Sequence, residues 1–336
     1  MITSALGRLA AGDNLSLEEM AEVIDQVMSG RVPENEIAVL LTALRHKGET
    51  IDEIAGAALA MRRHMTPIRT ARTGLVDTCG TGGDASGTFN ISTAAAIVAS
   101  AADVPVAKHG NRSITSKSGS ADVLAALGVN VGAPVPVVER CLSELGICFC
   151  FAPHLHPAMK HVAPVRKKLG VPTIFNLLGP LCNPAGAPFQ VLGVGKAELH
   201  QTLADVLARI GIRRAVVVHG LDGLDEVSLS GPTDVIEITG HTTRRFVWHP
   251  SDFGLAPAGR ESMLIDGPAA SAALIRRILD GERGPPRDIV LLNAAAALWT
   301  AGISESPLEC ANRAAETIDS GAAGKLLGRW GALSNE

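Results

Sequence analysis

The 336-residue chain contains no tyrosine, only 3 tryptophans and 7 phenylalanines, and its net charge is −4. Surfaces that hold nucleic acid need a basic stripe or stacking rings, so no nucleic-acid partner is expected. Long apolar runs are also missing. None reaches the roughly 18 residues that cross a bilayer, and Met1-Ile2-Thr3-Ser4 lacks a basic region followed by an apolar core. The expectation is a cytoplasmic protein without membrane contact. Paired cysteine motifs are absent too: Cys79, Cys141, Cys148, Cys150, Cys182 and Cys310 include no C-x-x-C, which removes the usual zinc knuckle and redox dithiol. Reduced, buried thiols are expected, with no Cys148–Cys150 disulfide. With 35 glycines and 19 prolines there is no low-complexity tract.

What remains is a globular composition, 46% hydrophobic and 19% charged, long enough for about two domains. From Ser16 to about His64 the pattern is helical only. Ser16 and Glu19 form a capping box, followed by Met20, Val23, Ile24, Val27 and Met28 at helical spacing. Gly30 ends that helix. A second starts near Pro33 with Ile37, Leu40, Leu41 and Leu44, and Thr50 with Glu53 caps a third predicted to run to Pro67.

After Thr70 short apolar strands alternate with helices, at Leu75-Val76, Val104 to Ala107, Ile147 to Phe151, Val191 to Val194 and Ala215 to Val218. The intervening helices are Ser92 to Ala102, Val135 to Leu145 and Lys196 to Ile210, with two more flanking the Gly281 to Pro286 break. The fold class is therefore α/β, a small N-terminal helical bundle domain plus a larger domain with a mostly parallel central sheet. The predicted division is 1–69, joined by about 157–184, and 70–333.

Asp77 to Asp84 holds three glycines, Gly80, Gly82 and Gly83, just ahead of a helix opened by Asn90-Ile91-Ser92-Thr93. Glycines let backbone N–H groups converge on an anion, and the helix start adds its own N–H groups. A plain strand-to-helix turn is the alternative. A P-loop is excluded because no Gly-Lys-Ser/Thr triplet occurs, and the dinucleotide pattern fails because Ser86-Gly87-Thr88 delays the helix. Lys108 to Ser120 then brings Lys108, Arg112 and Lys117 together with five side-chain hydroxyls, which suits a phosphate or pyrophosphate; a solvated loop is the bland reading.

A third cluster, His219 to Glu226, ends in adjacent acids. Asp225 and Glu226 in a loop can reach a hard cation, and Mg²⁺ takes one or two carboxylates plus water and phosphate oxygens. Each acid alone reads as a surface turn. The fourth cluster, His154 to Lys168, is basic; His156 and His161 stand five apart, off the four-residue spacing of a helical zinc site. Arg166 could instead pair bidentately with a substrate carboxylate.

Gly80-Thr81-Gly82-Gly83-Asp84, Asn90-Ile91-Ser92-Thr93, Lys108-His109-Gly110-Asn111-Arg112, Ser118-Gly119-Ser120-Ala121-Asp122, His156-Pro157-Ala158-Met159, Asn176 to Leu181 and Asp225-Glu226 occur in this order. Together they closely resemble the anthranilate phosphoribosyltransferases over nearly the whole chain. The resemblance implies a nucleoside phosphorylase-like phosphoribosyltransferase fold and transfer of phosphoribose from phosphoribosyl pyrophosphate to the amine of anthranilate, in tryptophan biosynthesis. It implies Mg²⁺, two ions per site, and a homodimer. It further implies that Gly80, Gly83, Asp84, Thr88, Asn90, Ile91, Ser92 and Thr93 hold the donor. Lys108, His109, Gly110, Asn111, Arg112, Ser113, Ile114, Thr115, Ser116 and Ser120 join them. Ser92, Asp225 and Glu226 are the implied magnesium ligands, and Gly80, Asn111 and Arg166 the implied anthranilate contacts.

No general base is assigned, because an aromatic amine sheds its proton readily once nitrogen bonds to carbon. Pro172, Ser113, Thr115 and Cys182 depart from the family pattern, where arginine, alanine, serine and threonine are common. The alternatives are a pyrimidine nucleoside phosphorylase-like enzyme, whose lysine-histidine-serine signature is missing, and a non-catalytic nucleic-acid-binding relative.

Overall fold

The computed structural model describes residues 2–84, 86–113 and 117–336. Helices α1 (Ile2–Ala10), α2 (Leu17–Met28), α3 (Glu34–Lys47) and α4 (Ile51–Arg63) open the chain. Both capping boxes form: the Ser16 and Thr50 hydroxyls accept from the amides of Glu19 and Glu53, whose carboxylates accept from the cap amides. Two N–H groups at each helix start thereby find partners. Helix α4 stops at Arg63, short of the predicted Pro67. The His64 N–H turns to the Met61 carbonyl, and a residue ahead of proline avoids helical geometry.

Among the described residues seven strands form one sheet: β1 (Val76–Gly80), β2 (Val106–Gly110), β3 (Ile147–Phe151), β4 (Phe189–Gly193), β5 (Arg214–Gly220), β6 (Thr233–Thr239) and β7 (Thr242–Trp248). Their order is β3-β2-β1-β4-β5-β6-β7. Strands β1 to β5 run parallel, and β6 and β7 add an antiparallel edge. Strand β1 continues through Gly80 and β2 through Gly110, so Asp77 to Cys79 and Lys108-His109, placed in loops by the sequence reading, are strand residues.

Helix α5 (Ile91–Ala101) links β1 to β2. Between β2 and β3 lie α6 (Ser120–Ala126) and α7 (Val135–Arg140), the latter continued by a π-helical turn at Cys141–Leu145. Helices α8 (Ala152–Leu155), α9 (Ala163–Leu169) and α10 (Phe175–Leu178) precede β4, and α11 (Ala197–Arg209) precedes β5. The chain closes with α12 (Pro268–Leu279), α13 (Pro285–Thr300), α14 (Pro307–Asp319) and α15 (Ala322–Ser334).

Side chains alternate across a strand, and β5 shows it. Val216 and Val218 enter one core with α5 and α13, whereas Ala215 and Val217 enter a second with α2, α4 and α11. Val162, Val165, Phe175 and Leu178 also join that second core. Strand order reverses between β1 and β4, each followed in the chain by strands on opposite sides. Beyond the carboxyl ends of such strands the diverging loops leave a crevice. All six cysteines are buried free thiols, with Cys148 and Cys150 sulfurs 3.9 Å apart.

Candidate active site

Gly80 and Gly193 pair in register at the ends of β1 and β4, and Asp225 packs on both. A Cβ on Gly80 would stand 2.5 Å from Asp225 Oδ2, and one on Gly193 would stand 1.6 Å from the Asp225 carbonyl oxygen. Only glycine at these ends lets an acid from the β5–β6 loop reach the crevice floor. The Gly82 N–H donates to Asp225 Oδ2 at 2.9 Å, so the glycine turn and the acidic loop form one wall.

Glu226 Oε1 accepts the Ser92 backbone N–H at 3.0 Å, at the N-terminus of α5. The Lys108 ammonium donates to the Thr78 carbonyl and, at 3.3 Å, to the Ser92 hydroxyl. Burial pushes Asp225 well above the usual carboxylate range, and the charges of Asp84 and Glu226 add to this. Burial likewise raises Glu226 to about 7, against the pull of Lys108 and Ser92. Burial lowers the Lys108 ammonium, which Asp77 partly restores.

The sequence predicts a cationic loop of Lys108, Arg112 and Lys117, but each has a protein acceptor. Lys108 is buried against β1, Arg112 pairs with Asp122 at 3.0 Å, and Lys117 pairs with Asp266 at 2.8 Å. Asp122 also accepts the N–H groups of Ser113 and Gly119, which folds the loop back on itself. The Ser120 hydroxyl donates to the Asn111 carbonyl at 3.3 Å. Ile114, Thr115 and Ser116 lie outside the described residues.

His109 is held from three sides. Its N–H donates to Asp77 Oδ1 at 3.0 Å, Nδ1 meets the Gly179 carbonyl at 2.9 Å, and Nε2 meets His156 Nε2 at 3.1 Å. A carbonyl only accepts, so His109 carries its proton on Nδ1 and His156 carries its own on Nε2. Burial lowers His109 to about 3, aided by His156, and lowers His156 to about 4. His156 therefore serves His109.

Arg166 Nη2 donates to Asn176 Oδ1 at 3.1 Å, and its guanidinium lies 5.9 Å from the Phe175 ring centre. That orients a half-buried cation whose proton affinity burial reduces. At Pro172 the carbonyl receives the Arg45 guanidinium.

The crevice thus unites Gly80, Asp84, Ser92, Lys108, Asp225 and Glu226. Asn90 and Ser120 link to the second loop, whereas Arg166 belongs to the helical side with Asn176. The sequence reading missed Gly193 and Gly195, whose G-x-G spacing at the end of β4 was the available signal. A Cβ on Gly195 would lie 3.0 Å from the Asp84 Cβ. It also missed Ser271, which no local motif marks. Asp225 and Glu226 suit Mg²⁺: both are pushed toward protonation by burial, and a cation would offset that cost. Among the described residues no three His, Cys, Asp or Glu side chains converge as a metal cage, and Mg²⁺ needs none when phosphate oxygens complete its shell.

Comparison with known proteins agrees with this geometry. A family model for the glycosyl transferase family a/b domain matches residues 72–324, and one for its helical bundle domain matches 3–65. Anthranilate phosphoribosyltransferase of Rhodopirellula baltica is 51% identical over 321 residues, 96% of this chain and 94% of that one. The chain belongs to the anthranilate phosphoribosyltransferase family. The family's enzyme from Moorella thermoacetica is 49% identical over 97% of this chain and 96% of its own. The crystal structure of anthranilate phosphoribosyltransferase from Thermus thermophilus superposes with a TM-score of 0.92 at 46% identity, covering 99% of each chain. That of the Saccharomyces cerevisiae enzyme in complex with PRPP and Mg gives 0.90 at 31%, covering 99% of this chain and 98% of that one. The anthranilate phosphoribosyltransferase fold is thus the fold described above. No helix among the described residues is long and apolar enough to cross a membrane.

Proposed function

We propose that this protein transfers the phosphoribosyl group of phosphoribosyl pyrophosphate to the amine of anthranilate, releasing pyrophosphate. The observation that carries this reading is Asp225 lying between Gly80 and Gly193 while Gly82 donates to it. This puts the acids against the backbone of the glycine turn and the start of α5. In the reaction the bond from the sugar's anomeric carbon to pyrophosphate breaks, with the electron pair leaving on oxygen. The amine nitrogen bonds to that carbon and then loses a proton to solvent.

The residues proposed for the donor are Gly80, Gly83, Asp84, Thr88, Asn90 to Thr93, Lys108 to Arg112, Ser113 and Ser120, with Ile114, Thr115 and Ser116. Gly80, Asn111 and Arg166 are proposed for anthranilate, Arg166 answering its carboxylate. Asp225, Glu226 and Ser92 would hold magnesium, two ions in the fuller reading. Bound magnesium would neutralise charge on the departing pyrophosphate. The chain's own part is to aim the α5 N-terminus and glycine amides at phosphate and to orient the acceptor. A homodimer, a cytoplasmic location and a division into 1–69 with 157–184 and 70–333 complete the proposal.

The test mixes protein, Mg²⁺, phosphoribosyl pyrophosphate and anthranilate and follows loss of anthranilate fluorescence. Loss that requires all four components is the expected result. Phosphorolysis of a pyrimidine nucleoside with no consumption of anthranilate would replace this reading with the phosphorylase one.

A further inference from the structure

Asn90 stands at the N-cap of α5, yet its side chain makes no capping bond there. Asparagine is among the residues that most often cap their own helix, so its amide is held elsewhere. Ser271, fully buried in the first turn of α12, accounts for this. Its hydroxyl accepts the Asn90 backbone N–H at 3.1 Å and donates to Asn90 Oδ1 at 2.9 Å. The same oxygen accepts from the Ser118 hydroxyl at 2.7 Å, and Asn90 Nδ2 donates to the Ser118 carbonyl at 3.1 Å.

The chain entering α12 adds three further ties. Phe89 N–H donates to the Met263 carbonyl at 2.9 Å, Ile265 N–H to the Gly87 carbonyl at 3.1 Å, and Lys117 to Asp266 at 2.8 Å. Residues 263–271 thus run as a strap that touches both the end of the glycine turn and the second loop. Glycine-rich segments lose much conformational entropy on ordering. Ordering them in advance by protein contacts spares the ligand that cost.

We propose that Ser271 is a positioning residue for the donor site, joining the glycine turn and the second loop into one cradle through Asn90. The inference rests on the functional reading above, since it takes Asn90 as a donor contact. Ser271 itself touches no reacting atom, so its effect falls on donor affinity.

The test compares wild type with Ser271→Ala and Ser271→Thr by steady-state kinetics and thermal unfolding. Ser271→Ala is expected to raise KM for phosphoribosyl pyrophosphate about tenfold, the effect of one to two lost hydrogen bonds. The kcat and the anthranilate KM are expected to stay within twofold, and Ser271→Thr, which keeps the hydroxyl, to retain the wild-type donor KM. An unchanged donor KM in Ser271→Ala would overturn the proposal. So would equal shifts in all constants alongside a lower Tm, the signature of a packing role. Where alanine fails to fold, Ser271→Cys fills the site with a slightly larger thiol that weakens both hydrogen bonds, and the same split is read from it. If the wild type transfers no phosphoribose, the functional reading falls separately. Calorimetry of Mg²⁺ and phosphoribosyl pyrophosphate without acceptor then still decides Ser271, tenfold weaker binding supporting it and equal binding opposing it.

Discussion

An acid can rest on a strand end only where no side chain stands in its path, and Asp225 uses two such openings. Gly193→Ala would drive a Cβ into the Asp225 carbonyl. It is expected to cost about 1–3 kcal/mol of stability and most of the activity, read by urea unfolding and the fluorescence assay; wild-type values in both would count against the close packing. Asp225→Asn or Glu226→Gln should lower turnover by about 10² and flatten its dependence on magnesium; an unchanged metal response in both variants would dismiss them as ligands. Arg166→Lys should raise the anthranilate KM about tenfold, because a lysine cannot make the bidentate pair. The histidine pair makes a pH prediction. His109 and His156 titrate near 3 and 4 when folded but near 6.5 unfolded, so between those values the unfolded chain binds more protons. Stability is full above about pH 6.5 and falls as pH drops, by up to about 1.4 kcal/mol per pH unit for each group. Urea midpoints from pH 7 to 5 should show this loss, and His156→Asn should reduce its slope.

Helix starts carried the most legible local signals, and the capping boxes at Ser16 and Thr50 form as read. Glu53 does more than cap. It is fully buried, pairs with Lys47 at 2.9 Å and accepts the Leu15 N–H at 3.0 Å, joining α4 to α3 and the start of α2. Glu53→Ala removes the carboxylate from a buried ion pair, leaving the Lys47 ammonium only the neutral Asn14 and Gly48 oxygens, and is expected to cost about 3 kcal/mol, measured by chemical denaturation. Strands β6 and β7 escaped the sequence reading because Asp234, Glu237, Arg244 and Arg245 interrupt their apolar pattern. Those charges face one another across the pair, Arg245 on Asp234 and Arg244 on Glu237, and they blunt an edge that would otherwise invite pairing. Strands β1 and β2 run longer than the sequence predicts for a different reason: Gly80, Lys108 and Gly110 look like loop residues, and only their neighbours' ladders extend them.

At the scale of the molecule, the core that fills the N-terminal helices continues through α11 onto one face of the sheet, with Ala57 and Leu41 in the same cluster as Leu203 and Val217. A fragment of residues 1–69 loses that support and is expected to show little helix by circular dichroism, while the whole chain unfolds in one transition; a stable helical fragment would oppose a shared core. The amino-acid sequence by itself determined the chemistry available: glycine turns, an acidic pair, caps, and helices alternating with apolar strands. Each of these is a local pattern, set by backbone geometry over a few residues. Only the tertiary structure decided which of them meet. Gly82 reaches Asp225 across 143 residues and Asn90 reaches Ser271 across 181. Such meetings depend on strand order and on burial of both sheet faces, which no short stretch of sequence specifies.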